Sequence, residues 1–197
     1  KVDQRAFPGA FLIVVGGLSG TGKSTLAREL GEQLGIEVLR SDTIRNEIFG
    51  THLNQGINTG VYGQDLRSQV YDQLLQRGEQ RLRAGTSAIL DATFVGSESI
   101  AAAQHLAQAF SAMFLAIQCS CPPEVAKERI RRRLVKEQDA SQATADVYEQ
   151  QRLSVQPWPA TVEKCGLDTE QPLEAQVQAV WREFRQLCQN RAPQACT

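Results

Sequence analysis

The chain has 197 residues, enough for one α/β domain with a small lid and too few for two full domains. Its composition, 42% hydrophobic and 22% charged, belongs to a packed globular core and excludes a disordered chain. Lys+Arg at 21 and Asp+Glu at 22 leave a net charge of -1, so no global field draws the protein onto an anionic membrane or nucleic acid, and a nucleic-acid partner is admitted but not favoured.

Phe11 to Val15 is a short, β-branched apolar run bounded by glycines, the pattern of a buried strand and far too short to span a bilayer. No charged-then-apolar leader precedes it, so the expected location is cytoplasmic, with no membrane partner. From Lys23, Leu26, Leu30 and Leu34 recur on one helical face and Gly35 offers a stop; Glu37 to Leu39 reads as a second strand. Asp42 is placed to cap a helix through Phe49, and Gly50 to Gly63, rich in Gly and Asn, reads as a mobile loop. A long helix is expected from Gln64 to Arg83, closed by Gly85, and Ser87 to Leu90 is a buried strand that ends at Asp91.

Ser97 to Phe110 is Ala-rich and helical, Met113 to Ile117 is a strand, and Pro122 and Pro123 open a basic helix at Glu124. Lys136 to Val147 is polar without an apolar face, PWP at Pro157 to Pro159 breaks the chain, a weak strand lies near Val162 to Leu167, and a last helix runs from Leu173 to Gln189. Alternating strands and helices predict a doubly wound, mostly parallel α/β sheet. The expected organisation is a single domain over 1–197, with its core at 11–135 and 155–190 and a lid at about 136–150. Five cysteines, at Cys119, Cys121, Cys165, Cys188 and Cys196, lack zinc or disulfide-scaffold spacing and read as reduced thiols, with Cys119 and Cys121, on either side of Ser120 at a strand end, expected to pack and not to react.

GLSGTGKS, Gly17 to Ser24, satisfies G-x-x-x-x-G-K-[ST] between a buried strand and a helix. There the backbone N–H groups of Gly17, Leu18, Ser19, Gly20, Thr21, Gly22, Lys23, Ser24 and Thr25 surround phosphate oxygens at a helix N-terminus. Lys23 balances the β/γ charge and the Ser24 hydroxyl ligates Mg2+, so the expected ligands are a nucleoside triphosphate and Mg2+. In SDTIR, Asp42 and Arg45 share a helical face directly after a strand. The carboxylate can accept a hydroxyl proton and the guanidinium can hold an anion, although a cap with a surface ion pair fits the same residues. Asp91, at the end of ILDATF, stands where P-loop proteins place a magnesium-reaching or substrate-contacting acid, or simply a turn former. In KERIRRR, Arg129 and Arg133 share a face at i, i+4 and read as lid residues over the γ-phosphoryl or as a solvated basic face. His52 reads as a solvent-facing loop residue and His105 as structural.

In their order and spacing, GGLSGTGKSTLA, LRSDTIRNEIFG and ILDATF resemble the small P-loop kinases of the AAA_33 or "predicted kinase" group, from about Phe11 to the last helix. The chain is similar in particular to the ATP-binding domain that many bacteria carry behind an aminoglycoside-phosphotransferase-like domain, and a chain that begins at Lys1 fits such a fused partner. The resemblance implies a nucleoside-monophosphate-kinase-like three-layer α/β/α core with a parallel five-stranded sheet and a lid, and transfer of the ATP γ-phosphoryl to a hydroxyl-bearing acceptor. By the same resemblance, Asp42 and Arg45 match the D-x-x-R pair that supplies the base and an acceptor-side arginine in polynucleotide kinases. Arg129 and Arg133 match lid arginines, and DASQATADVYEQQ matches the lid exit loosely. The expected activity is an ATP- and Mg-dependent phosphotransferase acting on a small molecule or nucleic-acid end; the alternatives are an ATP-binding regulatory module of a larger protein and a polynucleotide 5′-hydroxyl kinase.

Overall fold

The structure, a computed structural model, describes residues 9–50, 60–136 and 143–191. In chain order it runs β1 (Phe11–Gly16), α1 (Lys23–Leu34), β2 (Glu37–Arg40), α2 (Ser41–Phe49), α3 (Gly60–Arg83), β3 (Ala88–Asp91), α4 (Ser97–Ala109), β4 (Met113–Ser120), α5 (Pro123–Lys136), α6 (Ala145–Ser154), β5 (Lys164–Asp168) and α7 (Leu173–Arg191). The strands form one five-stranded sheet in the order β2-β3-β1-β4-β5, with every pairing parallel.

β1 reads as an unbroken apolar run because it is covered on both faces. Leu12 and Val14 face Leu74 and Leu82 of α3 and Ile100, Ala103 and Ala107 of α4. Phe11, Ile13 and Val15 face Leu26, Leu30 and Leu34 of α1 and Val177, Val180 and Phe184 of α7. The expected three-layer α/β/α fold with a parallel five-stranded sheet is the one observed. Gly35, at φ 66°, ends α1 as the sequence predicts.

The local differences have physical reasons. Arg40, in extended conformation, is the residue that caps α2, because β2 runs straight into the helix; Asp42 lies in the first turn rather than at the cap. α3 starts at Gly60, while residues 51–59 of the expected Gly/Asn loop, including His52, lie outside the described residues. β4 reaches Ser120 because β1 and β5 pair with it on either side, ending at Ser120 against Asp168. Of the expected lid, residues 137–142 lie outside the described residues and Ala145 to Gln150 belong to α6. Tyr148 buries that helix against Ala126 and Ile130 of α5, an apolar anchor that one aromatic in a polar stretch does not advertise.

The turn after β3 is pinned from both sides. Phe94 has φ 47°, a left-handed conformation that costs a non-glycine residue about 1–3 kcal/mol unless its surroundings enforce it. Its N–H donates to the Tyr71 hydroxyl at 2.8 Å, its carbonyl accepts from Trp158 Nε1 at 2.9 Å, and its ring meets the Tyr71 ring edge-on at 5.5 Å. Trp158 lies over Gly16, where a Cβ would come within 2.5 Å of the indole. The PWP segment is thus a plug on the carboxyl end of β1 as well as a chain break. Trp158→Ala, which opens a cavity there and leaves the Phe94 carbonyl unpaired, is expected to cost about 3–5 kcal/mol. In urea unfolding this appears as a lower midpoint at an unchanged slope.

Candidate functional site

The phosphate loop leaves the sheet at Gly17, whose φ of 144° and close approach to the Cys119 carbonyl, 2.5 Å from where a Cβ would stand, admit glycine alone. The Gly17 N–H donates to Thr93 O at 3.2 Å, which ties the loop to the turn after β3. The loop is closed on itself: Thr21 Oγ1 donates to Leu18 O at 2.7 Å, and Lys23 Nζ lies 3.5 Å from the same carbonyl. At Gly20 a Cβ would strike the Ala126 carbonyl of α5, so the loop rests on that helix. No side chain caps α1 and its first turn carries no acid, while Lys23 is buried there at 6% exposure. Free N–H groups, the helix dipole and a buried cation together make a site for an anion of several negative charges.

Beside the loop, the sheet register sets Asp91 of β3 against Val15 of β1 and against Arg40 of β2. Arg40 Nε donates to Asp91 Oδ2 at 3.2 Å. The Asp91 side chain is 2% exposed, and among the described residues nothing hydrogen-bonds its Oδ1. Burial pushes the Asp91 pKa up; the Lys23 charge, the Ser24 hydroxyl and Arg40 oppose that rise, and Asp42 adds to it. A buried carboxylate oxygen without a partner, next to a hydroxyl, is a hard-oxygen pair of the kind that suits a small divalent cation.

Ser19 and Lys23 of the loop also line a cleft of about 300 Å³ together with Asp42 and Arg45 of α2, Arg67 and Tyr71 of α3, Thr93, and Gln150 and Gln151 of α6. Arg45 Nη1 donates to Asp42 Oδ1 at 2.6 Å, so the i, i+3 pair read from the sequence forms and faces the phosphate loop across this cleft. Tyr71 is half-buried; desolvation raises the pKa of its hydroxyl, which lies 3.2 Å from Thr93 Oγ1. Arg129 and Arg133 do not line the cleft. Arg129 sits behind the loop: Nη1 lies 3.5 Å from where a Cβ on Gly22 would be, and the guanidinium donates to Thr169 Oγ1 at 3.1 Å and Thr169 O at 2.7 Å. Arg133 reaches Ala143 O at 3.5 Å, bridging to the chain that leads into α6.

Several of these residues have no individual role legible in the sequence, although Arg40 and Gln151 lie inside the segments LRSDTIRNEIFG and DASQATADVYEQQ that carry the resemblance. Arg40 is one residue of a strand, Tyr71 an aromatic on a long helix, and Gln151 a polar residue in a polar stretch; their roles come from pairing across sequence separations of 23 to 132 residues. Burial pushes the Cys119 thiol up to about 12, so this cysteine packs and is no nucleophile, as expected. His105 is exposed on α4 instead of packed, which corrects the expectation of a structural role.

A phosphate loop at the carboxyl edge of this sheet order, with an acid at the end of the neighbouring strand, defines a P-loop nucleotide-binding domain. Residues 12–158 match the AAA_33 family, described as an AAA domain, and the chain belongs to that family. An uncharacterized protein of Mycobacterium tuberculosis is 32% identical over 134 residues, covering 66% of this chain and 27% of that protein, so the chain spans about a quarter of the length of that mycobacterial relative. Among solved structures, a gluconokinase from Sinorhizobium meliloti superposes with a TM-score of 0.72 at 17% identity, covering 96% of this chain and 99% of that one. The Mycobacterium tuberculosis APS kinase superposes with a TM-score of 0.62 at 22% identity, covering 90% and 99%. Both share the fold. In the described residues no helix is long and apolar enough to cross a membrane.

The buried Asp91 gives a test. Its folded pKa lies above its unfolded value, so its contribution to stability is full below the ordinary carboxylate range and is lost as pH rises through the folded value. Asp91→Asn keeps the shape and removes that loss. At pH 7.5 the variant is expected to melt above the wild type, on a scale of roughly 2–4 °C per kcal/mol, and the gap should close as pH is lowered into the carboxylate range. A variant that melts lower at pH 7.5 would show the Arg40 pairing to outweigh the burial cost.

Proposed function

We propose that this chain is an ATP-dependent phosphotransferase that moves the γ-phosphoryl to a hydroxyl of a small molecule. The observation that carries this reading is the shared cleft: Asp42 and Arg45 line the same space as Ser19 and Lys23 of the phosphate loop. A nucleotide switch requires the loop and has no task for a carboxylate-guanidinium pair facing it. The loop amides and Lys23 hold the phosphates. Asp42 takes the proton of the acceptor hydroxyl as its oxygen bonds to the γ-phosphorus and the bond to the β-phosphate oxygen breaks, releasing ADP. Arg45 holds Asp42 in place through its 2.6 Å bond and offers its remaining N–H groups to the phosphoryl or to the acceptor. Arg129 steadies the loop from behind, bound to Thr169, and Arg133 steadies the return of the chain into α6. With little covalent chemistry left to the protein, positioning and electrostatics of this kind suffice.

Magnesium fits the donor set: Asp91 Oδ1 is buried without a hydrogen-bond partner among the described residues, and the Ser24 hydroxyl lies beside that carboxylate. Ser24 and Asp91 would hold the ion, which supplies positive charge to the triphosphate. A cleft of about 300 Å³ lined by both arginine and aliphatic side chains suits an acceptor of roughly sugar size and not a polynucleotide, a choice that the net charge of -1 also supports. The gluconokinase and APS kinase with the same fold have small hydroxyl compounds in their names, and the latter was solved with AMPPNP and APS.

A second reading, an ATP-responsive module within a longer protein, is favoured by the 27% coverage of the mycobacterial relative; a fused phosphotransferase-like domain belongs to that reading. The test is transfer of labelled γ-phosphate from Mg·ATP to sugars, aminoglycosides, nucleosides and 5′-hydroxyl oligonucleotides, with Lys23→Ala as the blank. A labelled sugar-sized acceptor, absent from the blank, is the expected result; tight ATP binding with only slow hydrolysis would favour the module. Asp42→Asn is expected to lower transfer at least about 100-fold while ATP affinity changes less than about threefold. An equal loss of both would remove Asp42 from the role of base.

A further inference from the structure

One hydrogen bond joins the phosphate loop to α6: the Ser19 N–H donates to Gln151 Oε1 at 2.9 Å, across 132 residues of sequence. The position of this bond is informative. Ser19 and Lys23 are the loop residues that line the cleft shared with Asp42 and Arg45, so the Ser19 amide stands at the end of the loop nearest the acceptor, where a transferable phosphoryl must lie. A phosphate oxygen bound to that amide meets Gln151 directly.

Gln151 is held to this place by its helix. Tyr148, one turn earlier on the same face, is buried against Ala126 and Ile130 of α5 with Leu18 of the loop packed on them. Lys127 of α5 pairs with Glu149 at 2.6 Å, and Val147, Gln150 and Ser154 of the same helix line the acceptor cleft. The primary amide suits a site that handles phosphate. Its oxygen satisfies the loop N–H, and half a turn about its soft terminal torsion presents the NH2 group as a donor to an incoming phosphate oxygen. A carboxylate of equal length would repel the same oxygen, and an alanine would reach neither group.

We propose that Gln151 reads the γ-phosphate: its side-chain amide gives up the Ser19 N–H to a triphosphate, donates to the γ-phosphoryl, and so makes α6 and the acceptor cleft beneath it respond to ATP and not to ADP. This inference rests on the phosphotransferase reading. Gln151 is a discriminating residue in it, with no proton or bond of the transfer assigned to it.

The test is equilibrium binding of Mg·AMPPNP and Mg·ADP to the wild type, Gln151→Ala, Gln151→Glu and Lys23→Ala. Gln151→Ala is expected to weaken AMPPNP about tenfold, the scale of one hydrogen bond to a charged group, and Gln151→Glu by more, with ADP within about threefold in both. A merely structural role would shift both nucleotides together. The proposal is overturned if the AMPPNP-to-ADP affinity ratio is unchanged in the variants while Lys23→Ala loses both ligands, an outcome that leaves the phosphotransferase reading standing. If the wild type binds neither nucleotide, or Lys23→Ala binds both as the wild type does, that reading and this inference fall together. Should Gln151→Glu fail to fold, the ratio in Gln151→Ala decides alone.

Discussion

The parallel register of β2, β3 and β1 is the constraint on which the rest of the site depends. It sets Arg40 against Asp91 and Asp91 against Val15, one residue before the chain leaves Gly16 for the phosphate loop. Because side chains alternate along a strand, a slip of one residue would turn Asp91 away from Lys23 and Ser24 and expose apolar faces of β3. The apolar cover on both sides of β1 fixes that register, so packing of the sheet and geometry of the site are one problem. β1 lies between β3 and β4 in the sheet order, and the chain turns outward on both sides of its end, opening the crevice that holds the loop.

Around this edge the protein buries groups that weaken it. Ser19, Thr21, Lys23 and Asp91 are all buried polar or charged residues, and Asp91 has its pKa pushed up by that burial. Phe94 is held in a left-handed conformation by Tyr71 and Trp158. The strain and the buried charge are balanced by the dry core on either face, where Leu12, Ile13, Val14 and Val15 of β1 are fully buried. Such a concentration of unfavourable groups at one strand edge, in a fold otherwise packed with aliphatic side chains, is the physical mark of a functional site.

The loop is gripped from two directions. Behind it, Arg129 of α5 binds Thr169 after β5 next to Gly22, and α5 lies so close that Gly20 has no room for a side chain. In front, α6 reaches Ser19 through Gln151 and packs Tyr148 on α5 beside Leu18. Helices α5 and α6 therefore both contact the loop, and residues 137–142 of the chain between them lie outside the described residues. Arginines expected from the sequence to cover the phosphates serve, in this structure, to brace the walls of the loop and the return of the chain.

The sequence by itself determined the elements whose cause is local. Gly17 to Ser24 between an apolar run and a helix, the Asp42 and Arg45 spacing, and Asp91 at the end of a β-branched strand are written in consecutive residues, because a phosphate loop, a helical i, i+3 pair and a strand end are short-range objects. Arg40, Tyr71, Trp158 and Gln151 gained their places only in the tertiary structure. Arg40 pairs with Asp91 through the β2 to β3 register, Trp158 covers Gly16 from beyond the last turn of α6, and Gln151 meets Ser19 across 132 residues. No propensity or period encodes such pairs, since they arise when sheet order and helix docking bring distant side chains together. The sequence thus determined that there is a phosphate site and an acid-arginine pair to face it, while the packing of α3, α5 and α6 decided the shape of the cleft between them and which residues watch over it.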